Sequence, residues 1–266
     1  MTTALLSVRN LSKEFGGLTA NKNVSFHVNT NQIVGIIGPN GAGKTTCFNL
    51  ISGFLSPSRG QIIFNGKDIT KLKSHHIASL GMVRTFQHTS VFSDLTVFDN
   101  VMTGRHLSMK KLLGISLYAR KRYYREMNQQ KEKVIDILQL MDLYDQKDSI
   151  AKNLSYGDQR KLEIAIALAA DPKILLLDEP AAGMNDLESA NLVQSLKSLK
   201  KKGISILIVE HDMKVVMNLC DYIVVLDQGE KIAEGTPSEI RNNPQVIKVY
   251  LGESDNEIAK DGGIDA

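Results

Sequence analysis

The spacing of hydrophobic and polar positions changes twice along the chain. Near the start, "LLSVRN" (5–10), "VSFHV" (24–28), "QIVGIIG" (32–38) and "QIIFNG" (61–66) read as short strands, the last preceded by turn-rich "LSPSRG". Short alternating strands so close together predict an antiparallel sheet packed beside the main one. From Leu72 to about Leu143 the pattern turns helical; "KEKVIDILQLMDL" sets Val134, Ile137, Leu138 and Met141 three and four apart. After residue 154 the order becomes helix, strand "KILLLDEP", helix "DLESANLVQSLKSLKKKG", strand "ISILIVE", helix "DMKVVMNLC", strand "YIVVLDQG". Strands alternating with helices predict right-handed crossovers and a doubly wound parallel sheet, so the fold class is α/β. The chain shows no internal repeat, and "ESDNEIAKDGGIDA" (253–266), polar and acidic, reads as disordered.

Composition changes this picture little. The 266 residues are 42% hydrophobic and 23% charged, an ordinary globular balance with ample material for a core. A net charge of +3 is too mild to argue for nucleic acid or a charged membrane surface. The longest apolar runs, "ISILIV" and "ILLL", fall far short of the roughly 20 residues a spanning helix needs. The N-terminus lacks a basic region followed by a long apolar core, so no signal peptide is expected. Cys47 and Cys220 form no C-x-x-C and sit among apolar neighbours, which predicts buried thiols in a reducing cytoplasm. Between Arg105 and Lys133 nine Lys or Arg face two Glu, which reads as a solvated helical face, with a contact to anionic lipid headgroups or an acidic partner as the alternative. With three tyrosines as its only aromatics and no recognisable module around it, that stretch does not predict a nucleic-acid site.

Candidate chemistry changes the picture most. "GPNGAGKT" (38–45) fits G-x-x-x-x-G-K-[ST], follows a strand and opens an apolar helix, the context in which this pattern cradles a polyphosphate. Gly38, Gly41 and Gly43 permit backbone angles that aim N–H groups inward, and Pro39, Asn40, Ala42 and Thr46 complete the loop and the helix start. Lys44 is expected to bridge the β- and γ-phosphates, and Thr45 to ligate Mg²⁺. The strand "ILLLDEP" carries Asp178 to the C-terminal edge of the sheet, where open α/β sheets place their ligands. Asp178 is expected to hold Mg²⁺ through water, and Glu179 to act as general base on the attacking water. His211, ending another apolar strand, and Gln87, after another possible strand in "MVRTFQ", are expected at the same edge, Gln87 within reach of Mg²⁺ or the lytic water.

"LSYGD" (154–158) raises a separate question. Ser155 can cap the following helix, whose apolar face is Leu162, Ile166 and Ala169, and Gly157 allows a backbone to approach. The N–H groups at this start could bind an anion. One nucleotide needs one cradle, so the second predicts a second chain: in a two-fold sandwich each nucleotide is closed over by the partner's copy of this turn.

Taken together, phosphate loop, Gln87, signature (154–158), acidic strand (174–179) and His211 come in the order found in ABC-transporter ATPases, and the resemblance covers nearly the whole chain. "FGGLTA", "VRTFQ", "LSYG", "AAGMN", "VEHDM" and "VIKVYLGE" are most similar to the importer ATPases for branched-chain or hydrophobic amino acids. The resemblance implies an ABC ATPase domain over 1–252: a P-loop core with a parallel sheet, an N-terminal antiparallel β subdomain and a helical signature subdomain at about 88–170. It implies that Phe15 stacks on adenine and that the cofactors are ATP and Mg²⁺. The implied partners are a second ATPase (self or related), transmembrane permease subunits received near Phe86 to Val97 and, indirectly, an extracytoplasmic binding protein. The implied place is the cytoplasmic face of the inner membrane, as a peripheral subunit.

Two positions depart from the usual pattern. The common signature is LSGGQ; here Tyr156 and Asp158 fill the third and fifth places, and a carboxylate facing a polyphosphate should weaken closure unless it points away. Asn185 stands where most ABC ATPases carry Asp. From sequence alone, a lipopolysaccharide-type exporter ATPase, a soluble ABC protein acting on nucleic acid or ribosomes, and a P-loop kinase stay open.

Overall fold

The computed structural model describes residues 4–85, 91–105 and 120–250. In chain order its elements are β1 (Ala4–Phe15), β2 (Leu18–Asn29), β3 (Ile33–Ile37), α1 (Lys44–Ile51), β4 (Arg59–Phe64), β5 (Lys67–Asp68), α2 (Ser74–Ser79), β6 (Met82–Arg84), α3 (Val97–Gly104), α4 (Arg120–Leu140), α5 (Tyr156–Leu168), β7 (Ile174–Asp178), α6 (Asp186–Lys201), β8 (Ser205–Val209), α7 (Met213–Leu219), β9 (Tyr222–Asp227), β10 (Glu230–Gly235) and α8 (Pro237–Arg241). Short 3₁₀ turns cover Tyr144–Gln146 and Ala151–Asn153. The chain divides into two compact units, Met1–Ile77 with Ser205–Ala266, and Ala78–Ile204.

In the first unit β2, β1, β4 and β5 form an antiparallel sheet. Val8 stands opposite Phe26 on one side and Ile62 on the other, and all three are buried, so alternation fixes the register. The strand over "QIVGIIG" belongs elsewhere. β3 lies between β8 and β9, parallel to both, with β10 turning back antiparallel on β9. All five β3 residues are buried. A strand covered on both faces loses the alternation that an antiparallel partner would show.

The second unit pairs β6 with β7 in parallel. β6 falls where "MVRTFQ" reads as a possible strand, within a stretch whose periodicity is otherwise helical. Gly81, at φ 102, breaks the backbone just before it, and its carbonyl accepts from Lys173 N at 2.8 Å. On α4, Val134 and Leu138 are fully buried, as is Met141 just beyond it, each contributing roughly 1.5–3 kcal/mol. Arg105 does not sit on a solvated face. Its side chain is 1% exposed, pairs with Asp171 at 2.8 Å, and donates to Ala169 O and Gln130 Oε1 at 2.7 Å each. Both cysteines are free and buried, and burial pushes the Cys47 thiol up to about 12.

Candidate functional site

The phosphate loop hangs from the C-terminal end of β3. Gly38, Gly41 and Gly43 have φ of 150°, 81° and 90°, a region that L side chains rarely enter. Space excludes a Cβ as well: at Gly43 it would stand 2.5 Å from Ala20 O, and at Gly38 it would collide with the Leu226 carbonyl. α1 starts from Gly43 in left-handed conformation, with no side-chain cap and no acid in its first turn. Its first N–H groups and the positive end of its dipole therefore face the loop without a competing carboxylate. Lys44 is buried, and its Nζ donates to Gly38 O at 2.6 Å and Pro39 O at 2.8 Å, which lays the ammonium across the loop. Thr45 is exposed and Thr46 half-buried; Pro39 and Ala42 are buried, and Asn40 is exposed.

His211 lies at the same sheet edge. β8 runs parallel to β3, with Ile36 opposite Val209, and the chain leaves β8 through Glu210 and His211. The His211 ring is 60% exposed, while the Glu210 carboxylate beneath it is buried and accepts from His211 N at 3.2 Å. Asp212 caps α7 by accepting from Lys214 N at 2.7 Å, which fixes where that chain turns. Phe15 ends β1 at a hairpin closed by Gly16 and Gly17. Its ring is 44% exposed, with Lys13 Nζ 4.9 Å from the centroid, so it is a surface aromatic and not a core residue.

In the second unit, β7 delivers Asp178. Its side chain is fully buried, and Arg84 Nη2, from the end of β6, donates to Oδ2 at 2.8 Å. The sequence reading missed this arginine. Its only signal was an isolated charge in an apolar stretch, and a buried Asp nearby requires such a partner. Burial raises the Asp178 carboxyl above its usual range, against the pull of the Arg84 charge. Oδ1 is buried without a hydrogen-bond partner. An acceptor of this kind fits a hydrated divalent cation, whose waters would donate to it. Glu179 follows at φ 47°, a backbone state that costs a non-glycine residue of order 1–3 kcal/mol and clusters at functional positions. Ala182 N donates to Glu179 O at 3.2 Å, closing the turn. Gln87 lies outside the described residues.

The signature turn opens α5 in this same unit. Ser155 is its N-cap and accepts from Asp158 N at 3.1 Å. Gly157 is buried, and a Cβ there would stand 2.9 Å from Glu188 Oε1. Glu188 forms a capping box with Asn185 at the start of α6, donated to by Asn185 N at 3.1 Å, while Asn185 Oδ1 accepts from Glu188 N at 2.9 Å. Asn185 thus holds a helix start, a task Asn and Asp perform equally well. Asp158 is held within its own unit, accepting from Gln146 Nε2 at 3.1 Å and Lys161 Nζ at 3.2 Å. Burial pushes its carboxyl up, and the bonds from Gln146, Ser155 and Lys161 outweigh burial, leaving it below the usual range. Tyr156 Oη donates to Ala182 O at 3.0 Å.

Among the described residues, no helix is long and apolar enough to cross a membrane, and no cluster of three His, Cys, Asp or Glu could hold a metal ion by itself. The ABC transporter family profile matches residues 21–182, and a second one, for a branched-chain amino acid ATP-binding cassette transporter, matches 230–256. The high-affinity branched-chain amino acid transport ATP-binding protein LivG of Salmonella typhimurium is 43% identical over 96% of this chain and 100% of its own. BraF of Pseudomonas aeruginosa, of the same description, is 41% identical over the same shares, and the lipopolysaccharide export ATP-binding protein LptB of Haemophilus influenzae is more distant, at 35% over 94% and 98%. A crystal structure of an ATP-binding cassette of an ABC transporter in its ADP conformation matches with a TM-score of 0.81 at 32% identity, covering 94% of this chain and 100% of that one.

Proposed function

Because this chain belongs to the ABC transporter family, as an ATP-binding cassette whose hydrolysis is coupled to transport, we propose that it powers the import of branched-chain or other hydrophobic amino acids. The observation that carries the amino-acid reading is full-length similarity to LivG and BraF, greater than to LptB, together with the second family match at residues 230–256. The phosphate loop, with Gly38, Gly41, Gly43 and Lys44, binds the polyphosphate; Phe15 offers its ring to the adenine. Thr45, Gln87 and, through water, Asp178 would hold Mg²⁺, whose charge would offset that on the phosphates. Glu179 takes a proton from the attacking water, and His211 stabilises the γ-phosphate as charge shifts onto it.

The second cradle supports a paired cassette, and family membership supports the remaining partners. Ser155 and Gly157 close over the nucleotide of a second cassette, the same chain or a related one, and two permease subunits take up the motion at the cytoplasmic face of the membrane. An extracytoplasmic binding protein delivers the substrate. ATP does work because the closed pair binds it more tightly than the open one. The test is a pull-down from native membranes with Glu179→Gln and ATP, followed by identification of what is attached. Permease subunits and an amino-acid binding protein are expected. Capture of a lipopolysaccharide-export partner, or of no membrane protein while the cassette pair itself is held, would overturn the import reading.

A further inference from the structure

We infer that Tyr156 is a positioning residue for hydrolysis: its hydroxyl clamps the Ala182 peptide and thereby sets the turn that begins at Glu179. The inference rests on the reading of Glu179 as the base. The Tyr156 hydroxyl uses its full bonding capacity. It accepts from Arg160 Nε at 3.1 Å and Nη2 at 2.9 Å, and donates its one proton to Ala182 O at 3.0 Å. Arg160 is in turn paired with Glu163 at 3.0 Å, with its carbon Cζ 5.2 Å from the Tyr156 ring centroid. Because the donor of the last bond also accepts from a cation, the chain Glu163–Arg160–Tyr156–Ala182 is polarised in one direction.

The clamped residue is the one that closes the catalytic turn. Ala182 donates its N–H to Glu179 O at 3.2 Å, so its two polar groups join Glu179 on one side and the signature turn on the other. Gly183, at φ 77°, packs against the same ring, and a Cβ there would approach Tyr156 Cε1 to 3.2 Å. Glu179 needs such support because its left-handed backbone is unfavourable alone. A glycine in place of Tyr156 would reach none of these groups. Here, displacement of the turn at Ser155 and Gly157 passes through the Tyr156 side chain to the loop carrying Glu179.

The test compares Tyr156→Phe, which keeps the ring against Gly183 and removes only the hydroxyl, with wild type and Arg160→Gln. Tyr156→Phe is expected to lower kcat about three- to tenfold, the loss of one hydrogen bond's positioning, with KM for ATP and equilibrium nucleotide binding unchanged. Arg160→Gln should lower kcat less, and the double variant should be no worse than Tyr156→Phe, since both act through one bond. Hydrogen exchange over 179–185 should quicken in Tyr156→Phe, a readout that needs no hydrolysis. Unchanged exchange there overturns the clamp whatever the activity. Faster exchange with wild-type kcat overturns its role in positioning, and a wild-type protein without ATPase activity overturns the reading of Glu179 instead.

Discussion

The two helix starts proposed to face ATP are built on different principles. α1 begins at a glycine with no side-chain cap, and its loop is shaped by backbone angles and close backbone neighbours. α5 begins at Ser155, whose hydroxyl already occupies the N–H of Asp158, and the surrounding turn is held by side chains: Gln146 and Lys161 on Asp158, Ala182 on Tyr156, Glu188 against Gly157. A backbone-built cradle fails abruptly, since almost any substitution meets a carbonyl or an unfavourable φ. A cradle held by side chains can be retuned one contact at a time, and that is how this chain accommodates Tyr156 and Asp158 in its signature.

The contrast orders the expected effects. Lys44→Ala removes the cation that lies across the loop, and ATP turnover should fall by at least about 100-fold in a steady-state phosphate-release assay. Arg84→Leu leaves the Asp178 carboxylate buried without its partner; urea unfolding should report a loss of about 3–5 kcal/mol. Ser155→Ala and Asn185→Ala each remove an N-cap, and each should cost about 1 kcal/mol of stability by the same assay. Asp158→Asn comes last. Its pairs are partly exposed, so less than about 1 kcal/mol is expected. The sign is definite: a carboxyl held below its usual range stabilises above the unfolded-state pKa, and that contribution fades as pH falls through the folded one. The gap between wild type and Asp158→Asn should therefore close on acidification.

Local pattern carried much of this structure. Gly38 and His211 follow β3 and β8 at one edge of their unit, and Asp178 ends β7 in the other, because apolar runs of five or six residues announce buried parallel strands. What escaped depends on partners distant in sequence. "QIVGIIG" groups by sequence with its antiparallel neighbours, because nothing local records that β8 and β9, some 170 to 190 residues later, flank it. β10, polar and partly exposed, gave no apolar run to read. Arg84 and the Tyr156–Ala182 bond went unseen for the same reason, since their partners lie 94 and 26 residues away. Whether Asp158 faces a polyphosphate or points away is not written in the local pattern; its bonds to Gln146 and Lys161 depend on the folded chain.

The measurement that bears most directly on the second cradle is the mass of Glu179→Gln in solution with ATP and Mg²⁺, by light scattering, beside Glu179→Gln carrying Ser155→Arg. If the signature turn closes over a neighbour's nucleotide, ATP doubles the 29.4 kDa mass of the first and leaves the second a monomer. A pair that survives Ser155→Arg, or a wild-type monomer hydrolysing ATP at full rate, would contradict it.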